Sequence, residues 1–211
     1  MKPKSRVFLA PLSGITDLAF RLLCLKYGAG MVTIPMINAN AVVRGNKATI
    51  DLLKTIPAEK PKSVQLFGSR IEIIRHAART VIDLTKCNMI DFNMGCPDKN
   101  IISQGSGAAL LKRPERIRKI VQCLKETGVP VSIKIRIGGS NRSINAIKNA
   151  RIIEDAGADM IIVHGRTVEQ GYSGKSDWEM IKKVKEEVSI PVVGNGDVWD
   201  CESAKALLDH T

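Results

Sequence analysis

The sequence predicts an α/β chain of the (β/α)8 TIM-type barrel class, here with seven βα units and the eighth missing, as one domain over residues 1–211. Short β-rich runs alternate with longer runs of helical period from end to end, the pattern of a parallel sheet joined by crossover helices. Gly28, Gly128 and Gly157 each close a helical run just before the next strand, where C-cap glycines belong. The first strand-to-helix turn reads PLSGITD and not G-x-G-x-x-G, so a doubly wound sheet fits less well than a barrel.

The elements follow in order. VFLAPL (7–12) opens the first unit and TDLAFRLLCLKYG supplies its helix. GMVTIPM (30–36) is the second strand, with a short helix near 46–54, and SVQLFG (63–68) is the third, followed by IEIIRHAARTVIDLT. NMIDFNM (88–94) and PERIRKIVQCLKETG form the fourth unit, VSIKIRIG (131–138) and SINAIKNARIIEDAG the fifth. The sixth is DMIIVHG (159–165) with DWEMIKKVKEEV, and the seventh is PVVGNGD (191–197) with CESAKALLD. In PERIRKIVQCLKETG the buried stripe is Ile117, Ile120, Val121 and Leu124, which leaves its cations on the wet face.

Composition bounds the function. With 211 residues, 44% of them hydrophobic, the chain can bury one sizeable core. No run approaches the roughly 20 apolar residues of a membrane span, and the first residues lack a long apolar leader, so no membrane association and a cytoplasmic location are expected. The five cysteines are scattered without C-x-x-C pairs, which supports neither a disulfide framework nor a metal site. Cys24, Cys87 and Cys123 read as small buried hydrophobes. A net charge of +11 suits a polyanionic partner, and with only eight aromatics that contact falls mainly on phosphates.

Strand parity locates the candidate site. In the fifth strand Val131, Ile133, Ile135 and Ile137 share one face, so Ser132, Lys134 and Arg136 point into the barrel. The same test turns Gln65, Asn93, His164 and Asn195 inward near the carboxyl ends of their strands. One such residue is ordinarily a satisfied buried polar group. Five on five successive strands ring the mouth, where barrel enzymes hold their active sites. Gln65 and Asn93 offer paired donors and acceptors for a planar polar ring, Lys134 a cation, and His164 a group that donates or accepts near neutral pH. Asn195-Gly196-Asp197 is either a phosphate-binding turn or an ordinary tight turn.

Above Asn93, Gly95 permits close backbone approach and Pro97 holds Cys96 extended. A thiol with a reference pKa of about 8.5 is mostly protonated at neutral pH, which suits a proton donor at least as well as a nucleophile.

The chain resembles the tRNA-dihydrouridine synthases, flavin barrels that reduce uridine in tRNA. The matching stretches are APLSGITD (10–17), QLFGS (65–69), DFNMGCP (91–97), GSGAALL (105–111), IKIRIG (133–138), VHGRTVEQGYSGKSDW (163–178) and GNGD (194–197), in the family's order and across the whole chain. The resemblance implies FMN across the barrel mouth, with Pro11 and Leu12 beside its ring, Gln65 and Lys134 on its polar edge, and His164 near flavin and substrate. It implies Asn93 on the target uracil, Cys96 as general acid, and Arg166 and Asn195 to Asp197 on substrate or the cofactor phosphate. NADPH or NADH as reductant and tRNA as partner are implied in the same way. Leu12 stands where the family commonly has methionine, a volume-conserving change. The family's eighth strand and its helical tRNA-binding domain are missing, so the barrel would be completed by self-association or left open. Two other readings stay open on the sequence, a dehydrogenase of a free pyrimidine such as dihydroorotate and a non-catalytic RNA-binding remnant.

Overall fold

A computed structural model describes residues 4–211. Seven parallel strands form one sheet in chain order: β1 (Phe8–Leu9), β2 (Met31–Asn38), β3 (Lys62–Phe67), β4 (Met89–Met94), β5 (Val131–Arg136), β6 (Met160–His164) and β7 (Val192–Asn195). Between them run α1 (Leu18–Lys26), α2 (Ala39–Val43), α3 (Lys47–Leu52), α4 (Ile71–Thr85), α5 (Lys99–Ser103), a 3-10 helix over Gly107–Lys112, α6 (Pro114–Lys125), α7 (Ala146–Asp155), α8 (Trp178–Glu187) and α9 (Cys201–Leu208). The expected seven units are present.

Local chemistry sets where the helices start. Asp17 accepts the Phe20 N–H at 2.8 Å, Asp177 that of Met180 at 2.8 Å, and Asp200 forms a capping box with Ser203. Pro114 stands at the first position of α6, where its missing N–H costs nothing. The predicted first strand narrows to two residues, because residues 10–17 turn over the mouth, with Ile15 and Thr16 N–H groups both reaching the Leu12 carbonyl. Missed altogether were α2, α5 and the 3-10 helix, all too short to show a helical period.

One core lies between the sheet's outer face and the helices. Ile90, Phe92 and Met94 of β4 and Val131, Ile133 and Ile135 of β5 are fully buried. They meet α4, α6 and α7 through residues such as Ala78, Ile117, Ile120, Val121, Leu124 and Ala150, which confirms the predicted stripe of α6. Cys87 and Cys123 are buried as expected; Cys24 is only half-buried, on a helix whose buried position is taken by Arg21.

Register explains why the inward groups share a height. Gln65 pairs with Asp91, so Asn93 stands two residues farther along β4; Asn93 pairs directly with Lys134. Lys134 pairs with Ile162, so His164 stands two farther along β6, and His164 pairs directly with Asn195. Four residues of advance over four strand steps is one per strand, the stagger of an eight-stranded barrel with shear 8.

Among the described residues, β1 pairs only with β2 and β7 only with β6. Between these two free edges opens an apolar cleft of about 530 Å³, with Phe8, Val193 and Leu207 in its walls. Across it, Arg6 Nη2 donates to the backbone oxygens of Leu208 (3.1 Å) and Thr211 (2.8 Å).

Truncating Phe92, fully buried between sheet and helices, should destabilise the fold by about 3–5 kcal/mol. Urea unfolding of Phe92→Ala checks this, and a loss below about 1 kcal/mol would remove Phe92 from the packed core.

Candidate active site

At the carboxyl ends of the strands lies a cleft of about 340 Å³. Pro11, Leu12, Gln65, Asn93, Cys96, Lys134, His164, Arg166, Asn195, Gly196 and Asp197 all line it, so every residue singled out in the sequence converges on one place. Met36, Arg136, Tyr172 and Trp199 also line it and were not assigned there from sequence. Arg136 shares the parity of Lys134 and was legible as inward, whereas Tyr172 and Trp199 sit on loops where no periodicity speaks.

Hydrogen bonds tie the strand residues to the cysteine loop. Ser132 Oγ donates to Asp91 Oδ1 at 2.6 Å, Gln65 Nε2 donates to Asp91 Oδ2 at 2.5 Å, and Asn93 Nδ2 donates to Gln65 Oε1 at 3.0 Å. Asn93 Oδ1 in turn accepts the N–H groups of Gly95 (3.1 Å) and Cys96 (2.9 Å). Asp91 was missed, although it has the parity of Asn93 and follows from the same alternation. From the other side, the Cys96 carbonyl accepts the Ala108 N–H at 3.1 Å. A Cβ on Gly107 (φ 58°) would come within 3.0 Å of that carbonyl and 2.8 Å of Ile101, so the GSGAALL stretch buttresses the thiol loop.

The electrostatics separate three titratable groups. Burial pushes the Cys96 thiol up and the Asp98 carboxylate adds to this, while the Asp98 backbone N–H and the charges of Arg136 and Lys134 pull it down. Burial lowers Lys134 to about 8, opposed by Asp91 and assisted by Arg136; its Nζ donates to Asn195 Oδ1 at 2.8 Å. His164 is lowered to about 3, first by burial and then by Lys134, Arg136 and Arg166. Its Nδ1 accepts the Arg166 N–H at 3.1 Å, which leaves the proton on Nε2. The sequence left His164 free to donate or accept; in this setting it is a neutral donor.

Two arginines act as staples. Arg136 Nε donates to the Gly95 carbonyl (3.0 Å) and Nη1 to those of Thr167 (2.8 Å) and Gly171 (2.7 Å), while its guanidinium lies 5.7 Å from the Tyr172 ring centroid. Arg166 Nη2 donates to Asp197 Oδ1 (2.6 Å) and the Gly174 carbonyl (2.6 Å), and Nε to the Ser173 carbonyl (3.2 Å). Asp197 Oδ2 accepts the Ser176 N–H at 2.7 Å, and Trp178 Nε1 donates to the Gly196 carbonyl at 3.0 Å. The long HGRT to SDW stretch is therefore a clamp between the loops after β6 and β7. Gly196 (φ 114°) turns between them with Ser176 Oγ 2.6 Å from where a Cβ would stand.

A flavin fits these residues. Gln65 retains one N–H and one lone pair, Lys134 two N–H donors and His164 its Nε2–H, while Pro11, Leu12 and Met36 add apolar surface to the same cleft for a flat ring. Among the described residues no cluster of His, Cys, Asp or Glu could hold a metal ion, and no helix is long and apolar enough to cross a membrane.

A family model described as Dihydrouridine synthase (Dus) matches residues 8–211. A probable tRNA-dihydrouridine synthase 1 of Synechocystis sp. is 38% identical over 209 residues, covering 98% of this chain and 58% of its own length. The tRNA-dihydrouridine synthase B of Shewanella oneidensis is 37% identical over 209 residues, covering 99% of this chain and 65% of its own. The chain thus spans less than two-thirds of these relatives. A solved structure of a variant of NCR from Zymomonas mobilis aligns with TM-score 0.68 at 14% identity, over 98% of this chain and 79% of that one, a likeness of fold.

His164 should keep its Nε2–H tautomer throughout the range of about pH 5 to 8 in which an ordinary imidazole titrates. Nitrogen NMR of histidine-labelled protein checks this; a midpoint for His164 inside that range would overturn it.

Proposed function

Since the chain belongs to the dihydrouridine synthase (Dus) family, we propose that residues 1–211 form the FMN-binding catalytic barrel of an enzyme that reduces the C5=C6 bond of uridine in tRNA. The observation that carries this reading is the meeting of a protonated thiol, a neutral imidazole N–H and a lysine cation at one barrel mouth. Bound FMN, with NADPH or NADH as its reductant, would supply the hydride that adds to C6 of the uracil ring.

The chain's own residues do the rest. Gln65 and Lys134 would hold the polar edge of the cofactor ring, Pro11 and Leu12 would lie beside the ring, and the turn from Asn195 to Asp197 would take its phosphate end. Asn93 binds the uracil through Nδ2, because its Oδ1 is already occupied by two backbone N–H groups. Cys96 gives its proton to C5 as C6 receives the hydride. Burial keeps that proton in place at neutral pH, and the charges of Arg136 and Lys134 stabilise the thiolate left behind. Lys134 and the Nε2–H of His164 offset negative charge that develops on the ring. Arg166 contributes by fixing the loop over the substrate, with Nη1 as the part of its fork left for direct contact.

The +11 charge supports tRNA as the substrate, contacted through phosphates, with the uridine drawn out of its stack to reach the cleft. The apolar seam between β1 and β7 suits the eighth βα unit that the family resemblance implies, from this polypeptide or from a second copy.

Cys96→Ala should retain FMN and tRNA binding and slow dihydrouridine formation by roughly 10²- to 10⁴-fold, the usual effect of losing a general acid. Unchanged turnover on unmodified tRNA would sink that role, and activity on free uracil or orotate alone would replace the tRNA reading. Lys134 is a cation below its pKa of about 8 and neutral above it. FMN affinity, followed by flavin fluorescence, should therefore fall as pH rises from about 7 to about 9, and Lys134→Met should flatten that dependence. A wild-type curve that is already flat would remove Lys134 from the ring edge.

A further inference from the structure

We propose that Asp91 is a positioning residue, the fixed end of a directed hydrogen-bond chain through Gln65 and Asn93 that holds the Cys96 loop and decides which group Asn93 shows to the substrate. Its bearing on catalysis rests on the function proposed above; its bearing on the loop does not.

Asp91 and Glu59 are the buried carboxylates among the described residues. Glu59 is matched by Arg21 at 2.5 Å, while Asp91 has no cation within ion-pair distance and instead accepts from Gln65 and Ser132 inside the barrel. Burial raises the Asp91 carboxyl above its ordinary value, opposed by the hydrogen bonds from Ser132 and Gln65 and by the charge of Lys134, and both of its oxygens act as acceptors. Gln65 must therefore turn Nε2 toward Asp91, which turns Oε1 toward Asn93; Asn93 must then present Nδ2 to Gln65, which leaves Oδ1 for the Gly95 and Cys96 N–H groups. Each amide takes its orientation from the one before, and the loop's two N–H groups require the same direction. The two ends of the chain differ in what holds them. Asp91 sits on a strand with its partner Ser132 on the next, whereas Gly95 and Cys96 belong to a loop.

Asn93 Oδ1 accepts twice and Nδ2 donates once, so a single N–H remains for the cleft. That N–H fits a carbonyl oxygen and opposes an amino group. Reversing the chain would face N–H against N–H at Cys96, so the chain's direction favours a keto pyrimidine at this point.

Two substitutions separate direction from charge. In Asp91→Asn, the amide oxygen can still accept from Gln65 while Nδ2 donates to the Ser132 hydroxyl, so the direction survives without the charge. Asp91→Ala leaves the buried Gln65 Nε2 without an acceptor, a loss that ordinarily shifts a local equilibrium by roughly ten- to a hundredfold. The readout is maleimide labelling of Cys96 relative to exposed Cys201, by peptide mass spectrometry on the chain without cofactor. Asp91→Ala should raise the Cys96 to Cys201 ratio by about tenfold, with Asp91→Asn within about twofold of wild type. Equal ratios in all three proteins, or an equal rise in both variants, would overturn the proposal. Should Asp91→Ala not fold, the double variant Asp91→Asn with Ser132→Ala removes the acceptor for the new Nδ2 and should raise the ratio above that of Asp91→Asn alone; no rise overturns it. A chain that shows this pattern but never reduces uridine would end the functional reading and leave the positioning role standing.

Discussion

Every polar side chain turned into a barrel must find its partner inside the barrel. The helices outside take the apolar face of each strand, and with seven strands carrying Ile, Val, Leu, Phe and Met outward, the opposite parity has nowhere else to go. Here the interior is resolved by a few matched groups: Thr33 with Ser63, Asp91 with Ser132 and Gln65, Lys134 with Asn195. The loops above inherit their positions from these pairs. The thiol loop hangs from Asn93, and the clamp over the opposite rim is fixed to the Asn195-Gly196-Asp197 turn. Chemistry at the mouth is thus set by satisfaction of hydrogen bonds one layer below it.

The charges at the rim are consistent with that origin. Lys134, Arg136 and Arg166 enter the same small space, yet each guanidinium fork is largely occupied by backbone carbonyls or by Asp197. Burial first, and then their joint field, keeps His164 neutral, so an imidazole that titrates elsewhere becomes a fixed donor here. Three cations thus leave one mobile charge, on Lys134, whose pKa of about 8 lies close to neutrality. Burial and cationic neighbours act in opposite directions on Cys96, which makes its proton firm before reaction and its anion tolerable afterwards.

Much of this was legible in the sequence because strands have a period of two. The alternation Val131, Ile133, Ile135 against Ser132, Lys134, Arg136 gave the inside and the outside of β5, and the same rule found Gln65, Asn93, His164 and Asn195. It also contained Asp91, one layer below the mouth, where alternation gives the side of the strand but not the partner that fixes the residue's role. Loops carry no period, so Tyr172 and Trp199 could not be placed, nor could Arg166 be recognised as a staple to Asp197. The cysteine loop was the exception. Gly95 and Pro97 restrict the backbone strongly enough for its stiffness to be read directly, although its anchoring through Asn93 Oδ1 was not.

The two ends of the sheet have a different consequence. Because β1 to β7 follow chain order, each strand's partner is the next one along, and the sheet is assembled from contacts of short sequence separation. The grip of Arg6 on Leu208 and Thr211 is of another kind, joining positions more than 200 residues apart across the seam. Local pairing can therefore accumulate unit by unit, while drawing the two edges of the sheet together across the seam is a late event opposed mainly by chain entropy, so the seam can open while every strand keeps its partner.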